Sequence, residues 1–329
     1  MKVAWALVVA ALLTGGYVLL GNRGTATRAA PKYTQAQLED MMQGVFIGAR
    51  PAIVQLQTIG VSSTTGEEQT TVVARGRATG FFISADGYAL TAYHAVSGQD
   101  RFQALTTRQE LLDARVVGFD ESRDLAVLKV DVPRRVEHLE LEDTRALEVG
   151  EALVEVGNAE GDFMQPRYGA VSSFEQDPGN LVPTQLVYSS IVLNPGDSGG
   201  AVLDFHGRAV AVGIGFAVSD VARFSLLVPV HGLRERITAM KTGLRERLPG
   251  VGLHVVHNDG GGVLIDRVEP GSSANEAGLR GGTVVAVDGA PVYSQQDYHT
   301  AIRAKTRGQR VTLNVKEQSQ NRTFTLELR

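Results

Sequence analysis

Cysteine is absent from this chain of 329 residues. Its absence excludes disulfides, thiolate catalysis, cysteine-ligated zinc, iron–sulfur clusters and a lipid-modified cysteine anchor. Folding must therefore rest on core burial, which a chain of this length can supply. A strong net charge is missing too: 32 Lys and Arg face 36 Asp and Glu, for a formal net charge of -4. No global basic field is available to gather nucleic acid or an acidic membrane surface. Long helical segments are scarce in the body of the chain, which disfavours a βαβ enzyme. There is no solenoid repeat, and no low-complexity tract beyond a short spacer. Glycine is plentiful, at 37 residues. Most of these lie outside helix-like segments, as in a turn-rich β protein.

Residues 3–20 carry no charge. At about 1.5 Å per residue such a helix covers about 27 Å, the depth of a bilayer core. Lys2 precedes the run, the arrangement that leaves the following chain outside the cytoplasm. A retained single-pass anchor and a cleaved signal peptide both fit. The anchor is favoured because the run exceeds the usual signal core of about 7–15 residues. Gly24-Thr25-Ala26 offers a small-x-small cleavage site for the alternative. Residues 21–31 read as a flexible spacer. Either way, the bulk of the chain is expected to be exported.

A short helix is expected over residues 33–46, followed by short β-like runs with turn signals between them. These fall at 52–58, 70–74, 80–84, 88–92, 111–117, 125–130, 152–156, 168–173, 186–193, 201–204, 209–214 and 223–228. Their number and spacing predict β-barrels or a sandwich. Leu233, Ile237, Met240, Leu244 and Leu248 then share one helical stripe, which predicts a helix packed on the body and ended by Pro249-Gly250. A second set of strands follows at 253–256, 262–268, 283–287, 310–316 and 322–327. Helices at 273–277 and 295–306 lie among them, which gives a small α+β module. The expected domains are residues 1–33, 34–248 and 249–329.

The segment Asn194-Pro195-Gly196-Asp197-Ser198-Gly199-Gly200 is the most informative. A nucleophilic serine must stand at a tight turn where backbone N–H groups converge, and flanking glycines permit that approach. Read this way, Ser198 attacks, and the N–H groups of Gly196 and Ser198 form an oxyanion hole. The same residues also suit a plain hairpin turn. A serine needs a base, and His94 follows the expected strand at 88–92, where a side chain can leave a barrel for a cleft. A lone histidine there is often merely packed or solvated. The base in turn needs an acid. Asp124 stands at the mouth of an apolar strand, where a buried carboxylate is costly unless used, with Asp120 as its rival. The order His94, Asp124, Ser198 is the chymotrypsin-type order. It differs from that of α/β-hydrolases, and so disfavours a lipase or esterase.

Residues 80–94 (Gly-Phe-Phe-Ile-Ser-Ala-Asp-Gly-Tyr-Ala-Leu-Thr-Ala-Tyr-His) resemble the histidine segment of the HtrA/Deg serine proteases. Asp124-Leu125-Ala126-Val127-Leu128 resembles their aspartate segment, and residues 194–200 their serine segment. The C-terminal module resembles a PDZ domain, through Glu269-Pro270-Gly271-Ser272, Ala277-Gly278-Leu279 and Val287-Asp288-Gly289. The resemblance spans residues 34–329. It implies a mainly β chain: a chymotrypsin-like double β-barrel, then a small α+β PDZ domain, with no metal or cofactor. It also implies a homotrimer, and single-pass attachment to a bacterial inner membrane facing the periplasm; the alternative is a soluble periplasmic protein.

The implied activity is serine endopeptidase action on unfolded proteins, with a chaperone-like module of little turnover as the alternative. Several positions depart from the family pattern. Ala92 and Ala95 flank the histidine segment differently, Ser189-Ser190-Ile191 replaces the usual Thr-Asp-Ala, and the loop at Arg280-Gly281-Gly282-Thr283 is one residue shorter. Asp197 replaces the usual Asn. That change is expected to be silent, because the position contributes mainly backbone. In this barrel type the floor of the specificity pocket falls at Val192, with Gly213, Ile214, Gly215 and Phe216 as a wall. An apolar floor favours cleavage after small to medium aliphatic residues. In the PDZ module, Val251-Gly252-Leu253 has the apolar-Gly-apolar pattern that captures a peptide's terminal carboxylate.

Overall fold

Runs of β-branched and apolar residues separated by glycine turns form the framework of the structure, a computed structural model. It describes residues 34–62, 71–97, 101–159, 164–176, 182, 184–218, 223–258, 260–317 and 320–329. The expected anchor or signal segment and the spacer lie outside the described residues. Among the described residues, no helix is long and apolar enough to cross a membrane.

Six strands come first: β1 (Ile53–Ser62), β2 (Thr71–Phe82), β3 (Tyr88–Ala92), β4 (Arg101–Thr106), β5 (Leu111–Asp120) and β6 (Leu125–Val130). They pair in the order β5-β4-β1-β2-β3-β6, and the pairing of β5 with β6 closes the ring. Six more follow: β7 (Ala152–Gly157), β8 (Gln165–Gln176), β9 (Gln185–Ser189), β10 (Ala201–Leu203), β11 (Ala209–Val218) and β12 (Arg223–Pro229). These close a second barrel in the order β10-β11-β12-β9-β8-β7. Two expected runs, 70–74 and 80–84, prove to be the ends of one strand, β2. Strand β4 is not expected from the sequence. Its alternation is carried by Phe102, Ala104 and Thr106, of which only the first is large.

Phe81, Leu90, Phe102 and Leu128 fill the first barrel, and their cluster continues onto Val154, Ala201 and Val212 of the second. The second barrel has its own interior of Leu153, Val187, Val202 and Leu227. Ile191 and Leu193, from the approach to the serine loop, are buried in that interior. Burying two such side chains contributes about 3–6 kcal/mol. That offsets the ordering of two or three backbone residues at about 1–2 kcal/mol each.

Helix α1 (Gln35–Ala49) buries Val45 and Ala49. Helix α2 (Arg234–Lys241) buries Ile237 and Met240, as the stripe predicts. It ends earlier than expected. Thr242 and Gly243, the latter at φ +107°, turn the chain, and β13 (Arg245–Glu246) then pairs parallel with β5. The end of α2 fits there because residue 118 is glycine: a Cβ on Gly118 would lie 2.2 Å from the Met240 carbonyl oxygen.

The C-terminal module comprises β14 (Leu253–His257), β15 (Val263–Val268), α3 (Ser273–Glu276), β16 (Thr283–Val287), β17 (Ala290–Pro291), α4 (Gln295–Arg303), β18 (Arg310–Glu317) and β19 (Gln320–Glu327). The sheet runs β14-β15-β16-β18-β19, with β17 on β16. Val263, Leu279, Val284, Tyr298, Ile302, Leu313 and Phe324 give it a core of its own. Ser294 and Asp297 form a reciprocal capping box that starts α4.

Candidate active site

Strands β3 and β6 are antiparallel, with Ala92 opposite Leu125. Their register sets His94, two residues beyond the end of β3, beside Asp124, one residue before β6. Asp124 follows the 3-10 turn Glu121–Arg123 and adopts a left-handed conformation, φ +52°. That turn aims its carboxylate back at the histidine. Asp124 Oδ2 lies 2.6 Å from His94 Nδ1, and Oδ1 accepts the His94 backbone N–H at 2.7 Å. The Tyr93 N–H donates to the Asp124 carbonyl at 2.9 Å. Tyr93 itself is stacked on Phe119, with ring centres 4.4 Å apart.

The Asp124 side chain is 9% exposed, whereas that of His94 is 49% exposed, so the imidazole is held from behind and open in front. Burial pulls the His94 pKa down, but the charge of Asp124 and its hydrogen bond push it up further, and the balance lies above the ordinary value. The rival acid, Asp120, is engaged elsewhere. It caps the 3-10 turn through Ser122 and pairs with Arg123 at 2.8 Å and Arg236 at 2.6 Å.

Ser198 sits on the loop between β9 and β10. Pro195 and Gly196 (φ +103°) are the central residues of a turn closed by the Asp197 N–H on the Asn194 carbonyl at 3.0 Å. Among the described residues, the N–H groups of Gly196 and Ser198 have no acceptor. Thr79 of the first barrel grips this loop twice. Its N–H donates to the Ser198 carbonyl at 2.8 Å, and its hydroxyl donates to the Gly196 carbonyl at 2.7 Å. A Cβ on Gly199 would lie 2.0 Å from the Thr79 carbonyl oxygen, so the grip requires glycine there. The Ser198 hydroxyl donates to the Ile214 carbonyl at 3.5 Å. Among the described residues, no hydrogen bond joins it to His94.

Asp197 does not contribute backbone alone, contrary to expectation. Its side chain is fully buried, and Arg167 Nη1 lies 3.0 Å from its Oδ1. Neither Thr79 nor Arg167 is marked out by the sequence. Thr79 carries no signal beyond its place before Gly80. Arg167 faces Glu155 across β7 and β8, a pairing that becomes visible once the strand register is known.

At the expected pocket, Val192 is half exposed, while its neighbour Leu193 is buried. A Cβ on Gly213 would lie 3.1 Å from Leu193 Cδ1, so Leu193 is the apolar side chain against that strand. The Ser225 hydroxyl accepts the Leu193 N–H at 2.9 Å and donates to the Ile191 carbonyl at 2.6 Å, which ties this segment to β12. Ile214 is buried, Phe216 is exposed, and Gly215 has φ +157°. In the C-terminal module, the Val251 and Gly252 carbonyls accept the N–H groups of Ala274 and Glu269, at 3.1 and 2.9 Å. Gly252 has φ +77°. Among the described residues, the N–H groups of Val251 and Gly252 have no acceptor, whereas that of Gly250 reaches the Arg329 carbonyl at 3.2 Å. No group of three or more His, Asp or Glu side chains among the described residues is arranged to hold a metal ion.

Comparison with known proteins adds two domain matches: a trypsin-like peptidase domain over residues 78–212 and a PDZ domain over residues 249–328. The probable periplasmic serine endoprotease DegP-like of Rhizobium meliloti (strain 1021) is 29% identical over 272 residues, covering 77% of this chain and 53% of that protein. The periplasmic serine endoprotease DegP of Salmonella typhimurium (strain LT2) is 26% identical over 263 residues, covering 74% of this chain and 55% of that protein. The chain thus spans about half the length of the curated relatives it matches. Among solved structures, the HtrA-type protease AlgW with a decapeptide aligns with a TM-score of 0.55 at 20% identity, covering 88% of this chain and 98% of that one. At that identity the likeness speaks to the fold. The chain thus carries a trypsin-like peptidase domain followed by one PDZ domain, and the relatives it is similar to are DegP-type serine endoproteases.

Proposed function

We propose that this chain is an exported serine endopeptidase that cleaves unfolded or damaged proteins through an acyl-enzyme. The observation that carries the reading is the His94–Asp124 pair, 2.6 Å between Nδ1 and Oδ2, on the same barrel to which Thr79 ties the Ser198 loop. With Nδ1–H held by Asp124, the free Nε2 is the basic nitrogen. Ser198 Oγ attacks the scissile carbonyl carbon, and its proton passes to His94 Nε2. The developing oxyanion takes the N–H groups of Gly196 and Ser198. His94 then protonates the leaving amine as the C–N bond breaks, and water hydrolyses the ester by the same route in reverse. Asp124 orients the ring and stabilises the imidazolium.

Val192, Ile214 and Phe216, with Leu193 beside them, are themselves apolar and bring no carboxylate to pair with a basic side chain, which favours cleavage after Val, Ala, Ile or Leu. The free N–H groups of Val251 and Gly252 support capture of a peptide's terminal carboxylate, with the peptide adding to the edge of β14. Periplasmic relatives support export. A homotrimer and attachment through residues 3–20 complete the proposal.

A second reading, a protease fold with little turnover, draws on one observation: the Ser198 hydroxyl is turned to the Ile214 carbonyl rather than to His94. Under the first reading this is a resting arrangement. Digestion of casein, with and without a peptide ending in a free aliphatic carboxylate, separates the two. Cleavage after small aliphatic residues supports the endopeptidase. No cleavage under either condition supports the binding module, and cuts chiefly after Arg and Lys overturn the pocket assignment.

A further inference from the structure

Beneath the serine loop lies a buried charge cluster that the triad does not use. Asp197 and Glu155 are both fully buried, and Arg167 of β8 reaches between them. Arg167 Nη1 is 3.0 Å from Asp197 Oδ1 and 3.5 Å from Glu155 Oε2, with the Arg167 side chain 14% exposed. The second oxygen of Asp197, Oδ2, accepts the Asn194 N–H at 2.8 Å. The Asp197 N–H in turn donates to the Asn194 carbonyl at 3.0 Å. Asp197 therefore closes the turn over residues 194–197 from both its backbone and its side chain. Space for the cluster comes from two glycines. A Cβ on Gly157 would lie 2.4 Å from both Asp197 Oδ1 and Glu155 Oε1, and one on Gly200 would lie 2.4 Å from Glu155 Oε1.

An ionised carboxylate without water is tenable only with a cation and hydrogen bonds against it. The cluster holds two carboxyl groups and one guanidinium, and the two acids do not share it equally. Arg167 lies nearer to Asp197, which also has the Asn194 N–H. Glu155 Oε1 has no partner among the described residues. Burial and, after it, the adjacent charge of Asp197 push the Glu155 pKa well above its ordinary value, which favours its neutral form.

We propose that Arg167 is a positioning residue for peptide-bond hydrolysis: by holding the Asp197 carboxylate buried, it fixes the 194–198 turn so that the N–H groups of Gly196 and Ser198 stay free to receive the oxyanion. The proposal rests on the reading of Ser198 as the nucleophile. Without the guanidinium, Asp197 carries its charge toward water and the turn opens. Leu193, Ile191 and the Thr79 grip hold the two ends of the loop, so the failure is local. Substrate binding away from the turn is preserved, and the loss falls on kcat rather than KM.

The test is a cycle in the full chain of Arg167→Gln, Asp197→Asn and the double variant, assayed by kcat and KM on a peptide substrate and by fluorophosphonate modification of Ser198. Arg167→Gln is expected to lower kcat by on the order of 10²–10³, the scale of a lost oxyanion donor, with KM changed less than about threefold. The double variant is expected to recover at least about tenfold of that loss. It removes the guanidinium and the Asp197 carboxylate together, and the amide oxygen introduced by Asp197→Asn still accepts the Asn194 N–H. A kcat for Arg167→Gln within about twofold of wild type overturns the proposal, as does a double variant no better than the single one. If Arg167→Gln does not fold, the double variant decides. Activity within about tenfold of wild type supports the proposal, and a folded but inactive double variant overturns it. A wild-type chain that leaves Ser198 unmodified overturns the nucleophile reading itself, which keeps the two failures distinct.

Discussion

His94 stands between opposing influences: burial disfavours its charged form, while Asp124 at 2.6 Å favours it and prevails. In the proposed mechanism the neutral ring is the base, so the acid limb of kcat/KM is expected above the ordinary histidine value of about 6.5. Protonated His94 also adds stability, present in full below the unfolded value and lost as pH rises through the folded one. Titrating the His94 ring by NMR in Ser198→Ala checks this. Asp124→Asn should move the pKa down, because it removes the charge that raises it. An unmoved pKa would disconnect the two residues.

Thr79→Val is the second test at this scale. It removes the hydroxyl that donates to the Gly196 carbonyl and accepts the Asn158 N–H at 3.0 Å. Leaving such groups unpaired in the interior costs about 1–3 kcal/mol, readable from urea unfolding. Activity should fall as well, since the grip on the serine loop is halved. His94, Asp124 and Ser198 are legible in the sequence because each sits in a local motif beside a strand or turn. Thr79, Arg167 and the side chain of Asp197 are not. Their roles come from pairings across barrels and strands, which no local pattern encodes.

Strand register converts distant sequence positions into a site. Ala92 opposite Leu125 brings His94 to Asp124, and a slip of one residue would turn either side chain to the other face. Most strands are legible from apolar runs and glycine turns. β4 is not, because Ala104 and Thr106 are weak markers of an inward face. The stripe from Leu233 to Leu248 overstates its helix. Leu244 keeps the spacing, but Thr242 and Gly243 end α2, and Arg245 and Glu246 pair with β5. Gly118 is the counterpart of that ending. Gly118→Ala would drive a methyl group into the Met240 and Leu244 carbonyls, at 2.2 and 2.5 Å. The expected cost is about 1–3 kcal/mol in urea unfolding, from forced displacement of the end of α2. A neutral result would mean that α2 is not seated on β5 as described.

Across the whole molecule, the barrels and the C-terminal sheet are linked at residues 247–248. The Leu248 N–H donates to Glu121 Oε2 at 3.1 Å, and Arg247 pairs with Glu269 at 3.0 Å. The Glu269 N–H in turn holds the Gly252 carbonyl. The carboxylate-binding reading of Val251 to Leu253 is tested by calorimetry with peptides ending in Val, Leu, Ile or Phe. A free terminus should bind at micromolar Kd, and amidation should weaken it by at least about tenfold, 1.4 kcal/mol. Equal affinity for both would leave the module without that role. The order of peptidase and PDZ modules is readable from their motifs. The burial at the expected pocket is not, since sequence position alone does not tell that Val192 is half exposed while Leu193 beside it is buried.

The proposed chemistry turns on Ser198 as a nucleophile activated by His94. The direct measurement is the rate at which a fluorophosphonate modifies the full chain, with the adduct located by peptide mass spectrometry. One adduct is predicted, on Ser198, formed faster as His94 loses its proton, and slowed on the order of 10²–10⁴-fold by His94→Ala. An adduct elsewhere, or a Ser198 adduct formed at the same rate without His94, would contradict it.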